Sequence, residues 1–166
     1  MNDHPISPEN LERLKKRAES HHISLDALIN QLLDKQMMRY THILDVLPDA
    51  VVLYSTENRI LYVNRAGGSL LGLRGLSISD AIGKNTQELG YPDAVVSAGQ
   101  AAFERVMHTK SPDLMILTTP LDVGGTVLES MLTPILTPTG EVECLLCVIH
   151  NITNRAQIAK ALHQSE

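Results

Sequence analysis

Residues 42–73, HILDVLPDAVVLYSTENRILYVNRAGGSLLGL, decide the fold because the hydrophobic pattern changes three times within them. A helical pattern stops at Pro48, which cannot continue a helix. Two short runs rich in β-branched residues follow, AVVLY and ILYV, and Asn58 between them tolerates the left-handed conformation of a tight turn. Asn64 then stands where its side chain can cap a helix, and Gly72 suits the end of that helix. The stretch therefore predicts a helix end, a β-hairpin and a short helix.

The chain after this stretch predicts a long helix and three more strands. Pro92-Asp93 is a helix start, and the helix is expected to run from Asp93 to His108. Glycine and proline turns separate three strand-like runs, at about Leu114–Val123, Thr126–Leu136 and Val142–His150. With the hairpin they predict an α+β fold, a five-stranded antiparallel sheet with helices on one face. The space between the two layers can hold a ligand.

Both ends of this region resemble PAS sensory domains. Such domains open with a helix ending in Leu-Pro-Asp, then a strand, a tight turn, a second strand closing on Val-Asn and a helix ending in Leu-Leu-Gly. All of these occur in order within residues 42–73. They close with a strand that runs into an Asp-Ile-Thr-Glu-Arg-like exit and a signalling helix, which residues 144–166, CLLCVIHNITNRAQIAKALHQSE, match. The resemblance implies an N-terminal helical segment at 1–41, a PAS domain at 42–154 and the start of a signalling helix at 155–166.

The resemblance also implies a function. Such a domain is a sensor or dimerisation module of bacterial-type signal transduction, without catalysis, and it relays ligand or partner state to an output domain outside this chain, of the kinase or cyclase class. In the family, the acidic residue of the exit motif commonly pairs with the following Arg. Asn151, Thr153 and Arg155 match that motif, with Asn in place of Asp. Asn151 can accept a hydrogen bond from Arg155 but brings no charge, so we expect a weaker tie than a charge-assisted one.

A small set of side chains is expected to touch the space between sheet and helices if strand alternation sets the register, namely Val52, Tyr54, Tyr62, Phe103 and Cys147. They predict a mainly apolar pocket for a small apolar ligand, and they would serve equally as an ordinary filled core. The cofactor is unknown. Flavin photosensors of the superfamily carry a reactive Cys at the position of Thr86, which excludes a photochemical adduct here but not noncovalent flavin, and flavin is not the expected cofactor. Haem-binding members place an axial His inside the long helix, whereas His108 lies at its end, so we do not expect haem.

Composition and sequence patterns argue against several kinds of binding surface, catalytic site and membrane segment. The net charge is −5 and aromatic residues make up 3% of the chain, which argues against a broad phosphate-binding or base-stacking surface. Cys144 and Cys147 point to opposite faces of a predicted strand and cannot readily share a metal ion, and no catalytic motif is present. No apolar run approaches the roughly 20 residues of a membrane span. With no signal peptide at the start, the cytoplasm is the expected location.

The first 47 residues predict two helices, one from about Pro8 to His21 and a second that Ser24 caps and that reaches about Leu47. Ile29, Leu33, Gln36, Tyr40, Ile43 and Leu47 form a short heptad-like seam, which predicts a homodimer. The pair also resembles the helices of ribbon-helix-helix proteins, and a DNA-binding regulator using the basic cluster at residues 13–17 is the alternative. The preceding residues, MNDHP, contain no Lys or Arg, and Pro5 cannot pair as a strand donor, so DNA is not the expected partner.

Overall fold

The computed structural model describes residues 7–118 and 125–154. The helices are α1 Pro8–Ser20, α2 Leu25–Asp45, α3 Arg65–Gly72, α4 Ile78–Ala81 and α5 Asp93–Thr109. The strands are β1 Ala50–Tyr54, β2 Ile60–Val63, β3 Asp113–Thr118, β4 Val127–Leu136 and β5 Val142–Asn151. This is the element order that the sequence predicts. The end predicted for the third strand and the signalling helix expected from residue 155 lie outside the described residues.

The N-terminal helices belong to a unit that ends at Ile43. The Ser7 hydroxyl accepts a hydrogen bond from the Asn10 backbone at 3.3 Å, and Pro8 occupies the first turn of α1, where its missing N–H costs nothing. Along α2, a row of apolar residues that we call the α2 stripe is half-buried or exposed, comprising Ile29, Leu33, Tyr40 and Ile43. The second unit begins at Leu44.

The second unit is built on one antiparallel sheet with the strand order β2-β1-β5-β4-β3. The hairpin turn between β1 and β2 places Asn58 at a φ of 59°, the left-handed conformation that its short polar side chain tolerates. Helix α3 packs against β1, and α5 packs against β3 and β4. The α+β architecture with a five-stranded antiparallel sheet is therefore confirmed.

A β-bulge interrupts the hairpin between Leu53 and Tyr54. Tyr62 lies opposite Leu53, whereas Ile60 lies opposite Tyr54, so one residue of β2 is left without a partner. Ile60 and Val63 are consequently both buried, although they are three residues apart. The strict alternation that the sequence suggests for β2 does not hold.

The core fills the space between the middle of the sheet and the two packed helices. Leu145 in β5 and Val106 in α5 are fully buried, and Val52, Leu132 and Cys147 from the three central strands are nearly so. Burial of such side chains is the main favourable term in folding. This core supports one side of a cavity that the side chains leave unfilled.

Candidate functional site

A cavity of about 150 Å³ lies between the sheet and helices α3 and α5. Its walls are mostly apolar, and the polar side chains on them are few. The sheet contributes Val52, Met115, Leu128, Leu132, Cys147 and Ile149, and the helices contribute Leu70, Leu71, Val95 and Phe103. The polar lining residues are Tyr54, Asn58, Arg74, Thr86, Tyr91, Thr126 and Ser130. An apolar pocket with a few polar groups is the usual form of a small-molecule site.

Four of the five residues that the sequence analysis proposes for the pocket line this cavity, and Tyr62 does not. Val52, Tyr54, Phe103 and Cys147 are on its wall. The Tyr62 hydroxyl donates a hydrogen bond to Asp45 Oδ1 at 3.3 Å, away from the cavity. The prediction for Tyr62 is wrong because the bulge in the hairpin puts Ile60 and Val63, rather than Tyr62, on the inner face.

Helix α5 presents one face to the cavity. Val95, Gly99 and Phe103 recur every four residues, so they share a face of the helix, and all three line the cavity. A Cβ atom added to Gly99 would meet nothing within 4 Å. The glycine therefore keeps one part of the wall open.

On the wall, the hydroxyls of Tyr54 and Ser130 have no hydrogen-bond partner among the described residues. Ser130 is only 2% exposed and lies in β4 between Met115 and Ile149, which also line the cavity. Burial raises the pKa of Tyr54 well above its ordinary value, and nearby Cys147 and Tyr91 add to the rise, so its hydroxyl stays protonated. Buried polar groups normally have partners. These two hydroxyls are free to bind a guest molecule.

A third polar group on the wall was not expected from the sequence. The Arg74 guanidinium lies over the ring of Tyr91, 4.0 Å from its centroid, and Nη2 donates to the Gly90 carbonyl at 2.7 Å. Arg74 Nε is buried and has no acceptor. Arg74 and Tyr91 are 17 positions apart and match no motif, so only the fold reveals the pair.

The buried thiol on the cavity wall is not in its nucleophilic form. Burial raises the pKa of Cys147 to about 12, so its thiol stays protonated at neutral pH, and thiols react as thiolates. Thr86 lines the wall at the position of the photosensors' reactive cysteine. His108 is exposed in the last turn of α5, and it is not among the lining residues. Residues 7–118 and 125–154 contain no group of three or more His, Cys, Asp or Glu side chains that could hold a metal ion.

Asn64 joins the cavity wall to the end of α2. Its amide oxygen accepts hydrogen bonds from the backbone N–H groups of Val51 and Gly67, both at 2.9 Å. Its amide nitrogen donates to the backbone carbonyls of Leu44 at 2.8 Å and Asp49 at 3.0 Å. The sequence predicts only the capping bond to α3. The side chain is fully buried, so this network fixes four separate points of the chain to one another.

The exit of β5 is tied to the start of β4. Thr153 Oγ1 accepts a hydrogen bond from the Val127 N–H at 3.0 Å, and the Ile152 N–H donates to the Val127 carbonyl at 2.9 Å. Asn151 Oδ1 accepts from both the N–H and the hydroxyl of Thr153. Arg155 lies outside the described residues, so its bond to Asn151 stays a prediction.

A family model described as the PAS fold matches residues 44–157. The chain belongs to this PAS family. No curated protein gives a significant match to the sequence. No helix in the described part of the chain is long and apolar enough to cross a membrane.

Solved PAS structures share the fold at low sequence identity. The PAS domain of BvgS from Bordetella pertussis is 21% identical, with a TM-score of 0.60, over 78% of this chain and 96% of that one. A sensory box sensor histidine kinase from Vibrio cholerae is 16% identical, with a TM-score of 0.53, over 75% and 97%. The Vibrio cholerae VqmA dimer is 22% identical, with a TM-score of 0.59, over 72% of this chain and 52% of that one. These likenesses support the fold.

The similar structures come from proteins of different kinds. One is a histidine kinase, and VqmA is described as a DNA-binding, LuxR-type receptor. This chain spans only about half of the VqmA chain. The expectation that DNA is not a partner is therefore not supported by the comparisons.

Proposed function

We propose that this chain is a non-catalytic PAS input module that senses a small molecule in the cavity and passes the state of the cavity to its flanking segments. The observation that carries the proposal is the cavity itself, with apolar walls and the free hydroxyls of Tyr54 and Ser130. A filled core would leave neither the volume nor the unpaired groups. A phage VqmA structure similar to this chain is a complex with DPO, which adds support for a ligand.

On the N-terminal side of the PAS domain, Asn64 connects the cavity wall to the end of α2. Its chain neighbour Val63 and its hydrogen-bond partner Gly67 both line the cavity. A ligand that moves this wall also moves the Asn64 side chain, which holds Leu44 near the end of α2. Such a ligand can shift α2 from one conformation to another only to the extent that it binds the two conformations with different affinity.

On the C-terminal side of the PAS domain, Leu128 and Ile149 connect the cavity wall to the exit of β5. Both line the cavity, and Leu128 pairs with Asn151, the first residue of the exit segment. The N–H of Val127, next to Leu128, donates to the Thr153 hydroxyl oxygen, and the Val127 carbonyl accepts from the Ile152 N–H. We infer that Asn151, Thr153 and Arg155 transmit the state of the cavity to a helix beyond them.

The flanking helices complete the proposal. The α2 stripe pairs with its copy in a homodimer, because exposed apolar residues at heptad-like spacing are stabilised by burial against a partner helix. The output domain is of the kinase or cyclase class, and one similar structure is a histidine kinase. The cytoplasmic location stays a prediction from the sequence.

Native mass spectrometry of protein purified from cells tests the cavity directly. We expect the wild type to retain a small molecule in a dimer of 18.2 kDa chains. Gly99→Leu should lose that added mass, because a leucine between Val95 and Phe103 fills the open part of the wall. Gly99→Ala is the matched control and should keep it.

Three outcomes would each contradict part of the proposal. A wild-type dimer with no added mass, in cells of the native host, would favour a dimerisation module with a vacant core. An occupant that Gly99→Leu retains would place the ligand outside the cavity. A monomer would remove the role of the α2 stripe.

A DNA-binding regulator is the second candidate, and the description of VqmA as DNA-binding is the observation that favours it. In this chain the contact surface would be the basic cluster on α1, Arg13, Lys15, Lys16 and Arg17. Binding to duplex DNA that weakens with salt, and that is lost when Lys15, Lys16 and Arg17 are replaced by Gln, would support it. No binding at low salt would exclude it for this chain.

A further inference from the structure

Arg74 is the only charged residue among the lining residues of the cavity that the structure describes. No carboxylate of the described residues forms an ion pair with it. Its position is fixed on both sides, by the Tyr91 ring below the guanidinium plane and by the Gly90 carbonyl at Nη2. A fixed positive charge beside an apolar cavity, without a protein counter-charge, favours a negatively charged guest.

The hydrogen-bonding capacity of Arg74 is also incomplete. Nε is buried without an acceptor, and a buried donor left unpaired destabilises the protein. Tyr54 and Tyr91 both line the cavity, and Arg74 lies over the ring of Tyr91. The cavity wall therefore offers a guanidinium and a phenolic hydroxyl, both of which donate hydrogen bonds to an oxyanion.

The size of the cavity limits the rest of the guest. An apolar cavity of about 150 Å³ accepts one benzene-sized ring. The remaining walls carry mostly apolar side chains and a few uncharged polar groups, which suit a ring and offer no second charge. A second charge on the ligand would therefore be buried without a partner.

Building on the proposed sensor function, we propose that the ligand is a small single-ring carboxylate, bound with its carboxylate at Arg74 and Tyr54 and its ring against Val95 and Phe103. The ring fills the apolar volume. The carboxylate supplies the counter-charge that Arg74 lacks.

Chemical-shift titrations of the full chain with benzoate, benzamide and toluene test this inference. Benzamide keeps the shape of benzoate without its charge, and toluene keeps only the ring. We expect wild-type protein to bind benzoate at least about tenfold more tightly than benzamide, because hydrogen bonds to charged groups are the stronger ones. Arg74→Gln should weaken benzoate binding by about tenfold or more and leave toluene binding within about twofold.

Arg105→Gln is the matched control, because Arg105 pairs with Asp113 on the surface and does not line the cavity. It should bind benzoate as the wild type does. Equal affinity of the wild type for benzoate and benzamide would overturn the inference, as would unchanged benzoate binding by Arg74→Gln. In both cases, binding of toluene would still support the proposal that the cavity binds a small molecule. Failure of all three probes would overturn the inference, and native mass spectrometry would then decide the cavity proposal separately.

Discussion

Replacing Asn64 with leucine is expected to lower the free energy of unfolding by about 2–6 kcal/mol, because two buried N–H groups lose their acceptor at about 1–3 kcal/mol each. Those groups belong to Val51 and Gly67. Leucine has the same branched arrangement of side-chain heavy atoms and leaves no cavity, so the loss comes mainly from hydrogen bonding. The change is a large part of the stability of an ordinary domain. Urea denaturation followed by circular dichroism measures it.

Two further variants sharpen the Asn64 test. Asn64→Asp keeps an acceptor for the two N–H groups but cannot donate to the carbonyls of Leu44 and Asp49, so its loss should be smaller than that of Asn64→Leu. Asn10→Leu changes an exposed asparagine of α1 and should stay within about 0.5 kcal/mol of the wild type. A loss below about 1 kcal/mol for Asn64→Leu would show that water replaces the network.

Two glycine-to-alanine changes should alter stability in opposite directions. At Gly67 an added Cβ would lie 2.5 Å from Val63 Cγ1, in a buried wall that cannot open freely. We expect Gly67→Ala to lower the free energy of unfolding by about 1–3 kcal/mol through overpacking. At Gly99 the added Cβ meets nothing within 4 Å, and alanine is the better helix former. Gly99→Ala should therefore raise stability by about 0.5–1 kcal/mol.

The same urea denaturation measures both changes, and each variant controls for the other because both glycines lie in helices on the cavity wall. Equal destabilisation by the two would mean that the wall at Gly99 is closed. No destabilisation by Gly67→Ala would mean that the Val63 side chain moves aside at little cost and that α3 is not tightly packed against the hairpin.

The fold could be predicted from the sequence because each helix and strand has its own local sequence signal. Pro48 ends a helix, Asn58 makes a turn and Asn64 caps α3, and none of these depends on distant residues. The position of Tyr62 could not be predicted, because the bulge arises in the pairing of two strands and leaves no mark in the sequence of either.

The candidate site was predicted less completely than the fold, for a related reason. Val52, Tyr54 and Cys147 follow from alternation along strands. Arg74 and Tyr91 become partners only when the chain between them folds back. The sequence indicates only an ordinary polar strand residue at Ser130, because its burial depends on neighbours in other parts of the chain. Similarly, three of the four bonds of Asn64 reach residues 13 to 20 positions away.

The most direct measurement is the autophosphorylation rate of a fusion in which this chain replaces the PAS input domain of a histidine kinase. If the state of the cavity reaches the exit segment, filling the cavity with Gly99→Leu should change the kinase rate severalfold, while Gly99→Ala should leave it near the wild-type rate. Equal rates for all three proteins, with occupancy lost only in Gly99→Leu, would contradict the coupling between cavity and output.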